Sequence, residues 1–460
     1  MKLYLGGDAS KGYTDWVIIS ETKKKLLDNF QLDDTFEGHN QLYNAIKCCV
    51  DKYPNVEIYA ALESTGGYEN NWLNTLKGYQ KVFNIQVARV NPLAVFHDSK
   101  ANMTRTITDA VSAIRIAEYQ INHPDNIRYE QDTTWKSLRR HWNFVELQKK
   151  QRVQTINQLD ALLYSANPML LTYKTDKLSN WLLEVIIQYP TANLLAKANA
   201  EELSKIPYVS LSKAEEIIAS VQKSIASSTD ENTGVLIKQI ALQIKMFDQT
   251  IESQMSLIKK EMVCPEIHIL KTFKGIDTTS AIGLILEIGV VERFYSVKSI
   301  CSFFGLNPKF KQSGDKIIGV RMSKLGSKNM RKILFNIAIG AIVHNPLIYE
   351  VYQRKLSEGM SKMAAIGVCM HKILRIIYGM LKNMKAFDAQ VDKQNASRSS
   401  SKQDEKNQQK VAYIVKTRRF QEYDQNAPIS IRQTKKRKEQ TLSQCEITSQ
   451  SAGSANSSQM

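Results

Sequence analysis

The chain has 460 residues, 43% of them hydrophobic, so it is long enough for about three domains with ordinary cores. Its 62 Lys and Arg residues against 45 Asp and Glu residues give a formal net charge of +17, which favours a polyanionic partner, most often nucleic acid. The composition argues against a disulfide-built, zinc-binding or membrane-spanning protein: the six cysteines form no C-x-x-C or Cys/His ligand pattern, and the longest apolar run, 333–343, falls short of the roughly 18 residues of a span.

The first 125 residues are predicted to form an α/β domain. Runs rich in β-branched and aromatic residues alternate with stretches of helical period, as in a mixed sheet covered by helices. The strand runs are 3–6, 16–20, 56–62 and 82–90, and the helical stretches include 40–52 and 68–78. The N-terminus lacks the apolar segment and the cleavage site of a signal peptide, so we expect a cytoplasmic protein.

Three acids stand at the ends of elements in this domain. Asp8 ends the first strand, Glu63 ends another, and Asp109 begins a helix. Carboxylate oxygens suit Mg²⁺, and two such ions roughly 3.5–4 Å apart can stabilise both the attacking and the leaving oxygen in phosphodiester chemistry. A turn, a solvated strand end and a helix cap would explain the same acids singly, so spacing alone leaves the metal site open.

Residues 126–265 are predicted to form a long helical arm. Apolar residues follow a three-four spacing there, which is the pattern of a coiled-coil seam. They are Ile237, Ile240, Ile244, Phe247, Ile251 and Ile258. Residues 206–214 indicate a turn and a small helical insert between the two long helices. We expect this arm to bind nucleic acid and to hold the protein together as a homodimer or homotetramer.

The first helix of the arm interleaves cations with indoles. Arg139 and Arg140 lie between Trp135 and Trp142 in the sequence. Such a surface can stack on unpaired bases and pair with phosphates. The indoles can equally lie on the apolar seam while the charges are solvated on the other face. Both interpretations stay open.

Residues 266–388 are predicted to form a second, mostly helical domain with a loop-rich middle at 305–326. Ser313 lies in that loop, where a flexible cationic segment can bring a hydroxyl to a phosphate. On its own, however, a Ser-Gly pair in a basic loop most often marks a turn. The basic residues nearby are predicted to bind nucleic acid: Lys311, Lys316, Arg321, Lys324, Lys328 and Arg331. Residues 389–460, rich in Ser, Gln, Asn and Lys, are predicted to be a disordered, polar and basic tail.

Longer motifs in both halves of the chain are more specific than these single residues. The first half contains GGDASK, ALESTGGYE, RVNP and TDAVSAIRIAEY, and the second half contains FKGIDTTSAIGLILEIG, RFYSVKSICSFFGLNP, KQSGDK and MSKLGSKNMRKIL. Their order and spacing resemble the DEDD transposases of insertion-sequence family one-ten, which include the Piv-type DNA invertases. The resemblance covers residues 1–120 and 266–385. It implies an α/β RNase H/RuvC-like N-terminal domain and a mainly α C-terminal transposase domain.

The family's metal site has four acids, and three of them fall on Asp8, Glu63 and Asp109. The fourth falls on Ser112, a weak neutral ligand where the family has an acid. A second register would instead leave Thr106 at the vacant place, but it puts the IAEY segment at 116–119 out of step. In either register Asp109 remains an acid.

The resemblance also gives Ser313 a role, because a serine in this segment of the family joins covalently to DNA. The turn at 273–277 resembles a helix-hairpin-helix, although Lys274 and Asp277 replace residues of the usual Pro-Gly-x-Gly, so phosphate binding and plain helix packing stay equally open.

The family works with a structured noncoding RNA encoded by the element. The resemblance therefore implies a Mg²⁺-dependent DNA transposase/recombinase guided by such an RNA, in a bacterial cytoplasm and at the nucleoid when bound to DNA. Two alternatives stay open: a RuvC-like nuclease that hydrolyses DNA with metal-activated water, and a catalytically inactive nucleic-acid-binding relative.

Overall fold

The computed structural model describes residues 1–64, 66–103, 108–127, 135–175, 178–313 and 316–391 and a few positions between 394 and 438, with the backbone alone at 310–313 and 316–320. The chain divides into two compact units, Met1–Lys136 and Ser137–Met460. The division into four parts at 125, 265 and 388 stays a prediction, and nearly all of the predicted tail lies outside the described residues.

The first unit contains a five-stranded sheet and four helices among its described residues. The strands are β1 (Lys2–Ala9), β2 (Tyr13–Ser20), β3 (Lys25–Asp33), β4 (Glu57–Glu63) and β5 (Ile85–Val90). The helices are α1 (Phe36–Lys52), α2 (Asn70–Tyr79), α3 (Pro92–Ala101) and α4 (Asp109–Asn122).

The sheet is mixed, with strand order β3-β2-β1-β4-β5. The first three strands are a continuous antiparallel meander, while β4 and β5 run parallel to β1. This mixed sheet with its helices fits an RNase H/RuvC-like α/β domain, and the predicted α/β class is confirmed. Strand β3 was not predicted, because its exposed edge position lets it carry mostly polar side chains.

The two faces of the sheet are covered differently. Leu3, Leu5 and Trp16 pack into a core with α1 and α2, whereas Tyr4 and Val17 pack against α4 on the opposite face. This is the two-residue alternation of a strand that is buried on both sides. Close approach of α4 to β1 requires a glycine, since a Cβ at Gly6 would lie 2.2 Å from the carbonyl oxygen of Ala113. Helix α4 is therefore held against the central strand.

The second unit is mostly helical. Its first part contains α5 (Lys136–Ala166, whose first residue belongs to the first unit), α6 (Pro168–Leu171), α7 (Asn180–Gln188), α8 (Ala192–Ala196), α9 (Ala200–Leu203), α10 (Leu211–Gln222) and α11 (Glu231–Glu261). Its second part contains α12 (Pro265–Lys271), α13 (Thr278–Ile288), α14 (Val297–Phe303), β6 (Pro308–Ser313), β7 (Lys316–Met322), α15 (Lys328–His344), α16 (Pro346–Ser357) and α17 (Lys362–Asn383).

The long helices α5 and α11 run antiparallel and side by side. The Arg152 guanidinium pairs with the Asp248 carboxylate, and His141 hydrogen-bonds Gln254 at 2.7 Å. The predicted seam faces inward, since Ile237 and Ile244 lie in a core formed with the helices of the insert. The insert is larger than the small one predicted, because α7 to α10 all contribute to that core. These seam side chains are thus already buried within one chain.

The segment predicted to be loop-rich, 305–326, contains the antiparallel hairpin of β6 and β7. Helix α17 is long and apolar enough to span a membrane by length and composition, and the bent pair of α15 and α16 passes the same test jointly. Half of the most apolar window of α17 is buried in the protein, as in the core helix of a folded domain. Such helices are weak evidence for a span.

Candidate active site

Asp8 lies near the carboxyl end of the central strand β1, between the neighbouring strands β2 and β4. It is directly opposite Asp15 on β2, and its neighbour Gly7 pairs with Leu62 on β4. Because side chains alternate along a strand, Asp8 faces the same side as Tyr4 and Gly6, the side covered by α4. The first predicted acid therefore points to the α4 face of the sheet.

Glu63 reaches the same face from the neighbouring strand. It is the last residue of β4, and Ala61, two residues earlier, packs with Ile116 of α4. The turn that follows is held by an ion pair to the buried Glu69 carboxylate, in which the Arg89 guanidinium donates to one oxygen at 2.9 Å and the other oxygen accepts from the Gly67 amide. This pair joins the turn that follows Glu63 to the neighbouring strand β5.

Asp109 is the first residue of α4. The Thr108 side chain caps the helix by accepting from the Val111 amide at 3.3 Å, so the start of α4 is set by its own sequence. The carboxylate of Asp109 is exposed and accepts a hydrogen bond from the Tyr13 hydroxyl at 3.2 Å. The three predicted acids thus gather on one face, contributed by two strands and one helix.

Ser112, at the place of the family's fourth acid in the first register, also faces this group. Its hydroxyl is near enough to the Asp8 carboxylate to lower the pKa of that group. Thr106, used by the second register, lies outside the described residues, so the choice between the two registers stays a prediction.

The acids influence one another electrostatically. Burial first, and then the charge of Asp109, raise the pKa of Asp8 from 3.8 to about 6, against the opposing effect of the nearby Ser112 hydroxyl. Burial and the charge of Asp8 raise the pKa of Glu63. Repulsion between like charges in a partly buried place is relieved by protonation or by a cation.

The donor set therefore fits a hard divalent cation in its chemistry. In the described part of the chain, however, no three His, Cys, Asp or Glu side chains converge closely enough to hold one ion. The charges are near enough to raise one another's pKa, but the carboxylate oxygens of the described residues do not converge on one point. The acids form a pre-arranged negative face rather than a finished metal centre.

Sequence reasoning missed Asp15. This residue is 8% exposed, lies opposite Asp8, and accepts a hydrogen bond from the Gln31 amide at 3.0 Å. Its negative charge also raises the pKa of Asp8. The signal was the hairpin itself: a tight turn between the two strands places residues 8 and 15 in register on the same face.

Ser313 is the last residue of β6, and its backbone pairs with Lys316 of β7. Its side chain and those of Lys311 and Lys316 lie outside what the structure describes. The structure thus places the serine at the tip of a two-stranded hairpin.

The base of that hairpin is tightly fixed. A Cβ at Gly305 would lie 2.1 Å from the Leu325 carbonyl oxygen, and the Lys324 amide donates to the Gly305 carbonyl at 3.0 Å. The Arg331 guanidinium donates to the carbonyl oxygens of Phe304 and Gly326, each at 3.0 Å. Arg331 thereby joins the two ends of the segment that carries the hairpin.

Two family models match this chain. One, a DEDD transposase model of the IS110 type, matches residues 5–168, and the other, described as the transposase IS116/IS110/IS902 family, matches residues 267–353. The chain belongs to the IS110 family of transposases. The predicted family is confirmed, and each match covers one of the two blocks on which the resemblance was recognised.

Curated relatives of this IS110-family chain match over part of their length. A pilin gene-inverting protein of Moraxella bovis is 30% identical over 135 residues, which are 28% of this chain and 41% of that protein. An uncharacterized 43.6 kDa protein of insertion element IS110 from Streptomyces coelicolor is 20% identical over 255 residues, 52% of this chain and 61% of that protein. T. thermophilus RuvC, solved in complex with a Holliday junction substrate, matches at a TM-score of 0.23 and 11% identity over 28% of this chain and 100% of that one, too weakly to support a conclusion.

The predicted nucleic-acid-binding residues of the IS110-family chain are divided in the structure. Arg139 and Arg140 are exposed on α5, and Arg321, Lys324 and Lys328 are exposed beside or beyond the hairpin. Arg331 differs from them, because burial lowers its pKa and two carbonyls engage its guanidinium. Binding of nucleic acid by Arg331 stays a prediction, and the residue also makes these two structural contacts.

The structure bears on two interpretations that the sequence left open, the role of the indoles on α5 and the role of the turn at 273–277. Trp142 is only 2% exposed and lies against α13, where a Cβ at Gly283 would be 2.6 Å from its ring. Its indole is therefore on the apolar side of α5 and not available to stack on a base.

Asp277 caps α13 by accepting from the Ser280 amide at 2.9 Å, which places a carboxylate where a phosphate would bind and favours plain helix packing.

Proposed function

We propose that this IS110-family protein is a DNA transposase/recombinase that cuts and rejoins DNA through a carboxylate site and a serine nucleophile. The observation that carries the proposal is the common face shared by Asp8, Glu63 and Asp109 in a chain of this family. A RuvC-like nuclease that hydrolyses DNA would use the same face, and it would differ in forming no covalent bond between protein and DNA.

In this proposal Asp8, Glu63 and Asp109 hold Mg²⁺. The bound ion would supply electrostatic stabilisation of the charge that develops on the phosphate oxygens. The chain's own residues prepare the place for it. Thr108 sets the first turn of α4, and the Glu69–Arg89 pair holds the turn that follows β4.

Ser313 is the proposed nucleophile. Its oxygen would form a bond to phosphorus as one phosphate–sugar ester bond breaks; the serine gives up its hydroxyl proton, and the departing sugar oxygen gains one. A sugar hydroxyl of the new partner strand would then attack the phosphoserine, form the new ester bond and release the serine. The cycle conserves the number of phosphoester bonds and needs no external energy source.

Partners follow from the same proposal. DNA would be gripped by exposed cations such as Arg139, Arg140 and Arg321, while an element-encoded guide RNA would choose the sequence. The protein would act in the cytoplasm. The coiled-coil arm is proposed to support a homodimer or homotetramer, and since the seam of α11 is buried within the chain, the contact would use another surface of the arm.

A covalent-adduct assay tests the proposal. The full chain is mixed with Mg²⁺, RNA transcribed from the flank of the element, and end-labelled DNA, and is then denatured. We expect a labelled protein–DNA species that is lost in Ser313→Ala and in Asp8→Asn. Ser302→Ala is the matched control, because Ser302 is an exposed serine of the same unit, and it should retain the adduct.

Other outcomes have definite meanings. Cleavage without an adduct, unchanged by Ser313→Ala but lost in Asp8→Asn, would replace the serine mechanism with hydrolysis. Binding of DNA and RNA with no cleavage in Mg²⁺ or Mn²⁺ would show an inactive nucleic-acid-binding relative.

A further inference from the structure

A half-exposed phenylalanine lies beside the base of the hairpin of β6 and β7. Phe303 ends α14, and its side chain is 50% exposed, whereas a phenylalanine is more often buried. Its backbone lies against the segment that follows β7, since a Cβ at Gly326 would be 2.1 Å from the Phe303 carbonyl oxygen. The ring therefore lies next to the segment that carries Ser313.

Phe303 belongs to a compact aromatic cluster. Its ring meets the rings of Phe294 and Phe304 edge to face, with centroids 5.4 and 5.0 Å away. The Arg293 guanidinium carbon lies 4.6 Å from the ring centroids of both Phe294 and Phe303, within cation–π range. Phe294 and Phe304 are buried and attach the cluster to the core. The Phe303 ring is thus held in place by its neighbours while half of it stays open to solvent.

The exposed surface continues onto the other side of the hairpin base. Leu325 is 61% exposed, and its carbonyl oxygen would be 2.1 Å from a Cβ at Gly305, two residues after Phe303. Lys324 precedes Leu325, is also exposed, and donates its backbone amide to the Gly305 carbonyl at 3.0 Å. We call Arg293, Phe303, Lys324 and Leu325 the hairpin-base patch. It combines an aromatic ring, an exposed apolar side chain and two cations.

The sequence around the hairpin-base patch is strongly basic. Residues 290–332 contain ten Lys and Arg residues against two acids, so this region attracts a polyanion. Lys298 on α14 and Lys309 on β6 are further exposed cations of the region. In proteins that bind single-stranded nucleic acid, cations pair with the phosphates and unpaired bases stack on aromatic rings. The bases of a duplex are already stacked on one another, so an exposed ring among cations favours a single strand.

We propose that the hairpin-base patch binds single-stranded DNA, with one unpaired base stacked on Phe303. This inference rests on the proposed function, in which Ser313, at the tip of the same hairpin, attacks a DNA strand. The buried rings of Phe294 and Phe304 hold the stacking surface in place, and Lys324 holds a flanking phosphate. The DNA strand is then unpaired near the place where it is cut.

The test measures binding of labelled oligo(dT), about 16 nucleotides long, to the full chain by fluorescence anisotropy, without Mg²⁺ or RNA. Salt at about 0.2 M weakens contacts that depend on phosphates alone. Phe303→Leu keeps an apolar side chain but removes the aromatic ring, and we expect it to raise the Kd about 10-fold. Circular dichroism checks that the variant is folded.

Two further variants separate stacking from packing. Phe303→Trp should bind oligo(dT) at least as tightly as wild type, because an indole offers a larger ring surface to a base. Tyr349→Leu is the matched control, since Tyr349 is 51% exposed on α16 beside Glu350, and it should leave the Kd unchanged. If Phe303→Trp binds as weakly as Phe303→Leu, the ring only supports the fold and the proposal is overturned.

Other nucleic acids complete the test. A duplex of oligo(dT) with oligo(dA) should bind wild type and Phe303→Leu equally, because its bases are not free to stack. An equal loss for duplex and single strand, a loss for neither, or a wild-type chain that does not bind oligo(dT) overturns the proposal. A loss with oligo(U) but not with oligo(dT) assigns the patch to RNA and overturns its assignment to DNA.

Failure of this proposal is distinct from failure of the proposed function. If Phe303→Leu binds oligo(dT) as wild type does while the covalent adduct forms, the patch is no base-binding site and the serine mechanism stands. If binding depends on Phe303 while DNA is cleaved without an adduct, the serine mechanism fails and the patch stands.

Discussion

Replacing Asp8 by Asn should stabilise the fold while abolishing the proposed activity. The folded protein raises the pKa of this carboxyl from 3.8 to about 6, chiefly by burial and by the charge of Asp109, so the ionised form is disfavoured in the native state. An asparagine has no charge to desolvate, and it is nearly the same size and shape as the aspartate. The replacement therefore removes the penalty with little change of shape.

The size of the effect follows from the shift. The difference between 3.8 and about 6 corresponds to about 3 kcal/mol if fully expressed. Because the side chain is only partly buried, solvent screening reduces the expected gain to about 1–2 kcal/mol. For a unit of this size that is about 3–6 °C in Tm.

The pH dependence gives the decisive signature. An acid whose pKa is raised on folding destabilises the protein when ionised, so the penalty is complete above about pH 6 and disappears as the pH falls below the ordinary value of 3.8. The Tm of Asp8→Asn should therefore exceed that of wild type at about pH 7.5, and the two should converge near about pH 4.

Scanning calorimetry of the full chain without added metal measures this difference. Asp28→Asn is the control for a generic loss of negative charge, since Asp28 is exposed on β3. Equal Tm values for wild type and Asp8→Asn at the higher pH would refute the reasoning, as would a difference that does not depend on pH.

Three further predictions concern the contacts that stabilise the fold within each unit. Gly6→Ala should lower the Tm and weaken cation binding, because its Cβ would lie 2.2 Å from a backbone oxygen of α4 and overpacking of this kind costs about 1–3 kcal/mol; unchanged melting would mean that α4 moves freely. Burial acts to raise the pKa of Glu146, but hydrogen bonds from two lysines outweigh burial and lower the pKa. Glu146→Gln should therefore lower the free energy of unfolding by about 1 kcal/mol above pH 4.5, and this cost should vanish as the pH falls below that value. A cost that persisted in acid would contradict the prediction. Arg331→Met removes two hydrogen bonds to carbonyls and should cost about 2–3 kcal/mol in denaturant unfolding, with Arg331→Lys intermediate; wild-type stability in both would show that the clamp is dispensable.

The sequence alone determined what depends on near neighbours. The start of α4 is an example, because Thr108 followed by an apolar period of helical spacing is sufficient to begin a helix. The alternation that ends β1 at an acid is another, since it is set by residues only two positions apart. Asp8, Glu63 and Asp109 could be chosen as candidates on this basis, and the longer motifs gave the family.

Tertiary structure decided what depends on distant partners. The seam of α11 has the same pattern whether another chain or its own insert covers it, and here Ile237 and Ile244 are covered by the insert. Strand β3 carries little periodic signal, because an edge strand with one open side can be polar. In the sequence Arg331 is one more cation in a basic stretch, and only the fold brings two carbonyl oxygens within reach of its guanidinium.

The same division separates Asp15 from Asp8. An acid at a strand end attracts notice in the sequence, whereas an acid inside the next strand resembles an ordinary polar position. Only the strand register brings the two together, and a register shift of one residue would have sent Asp15 to the opposite face. Local propensity can mark where a strand lies, but which side chains meet across a sheet is fixed by the pairing of whole strands and by the cores on both of its faces.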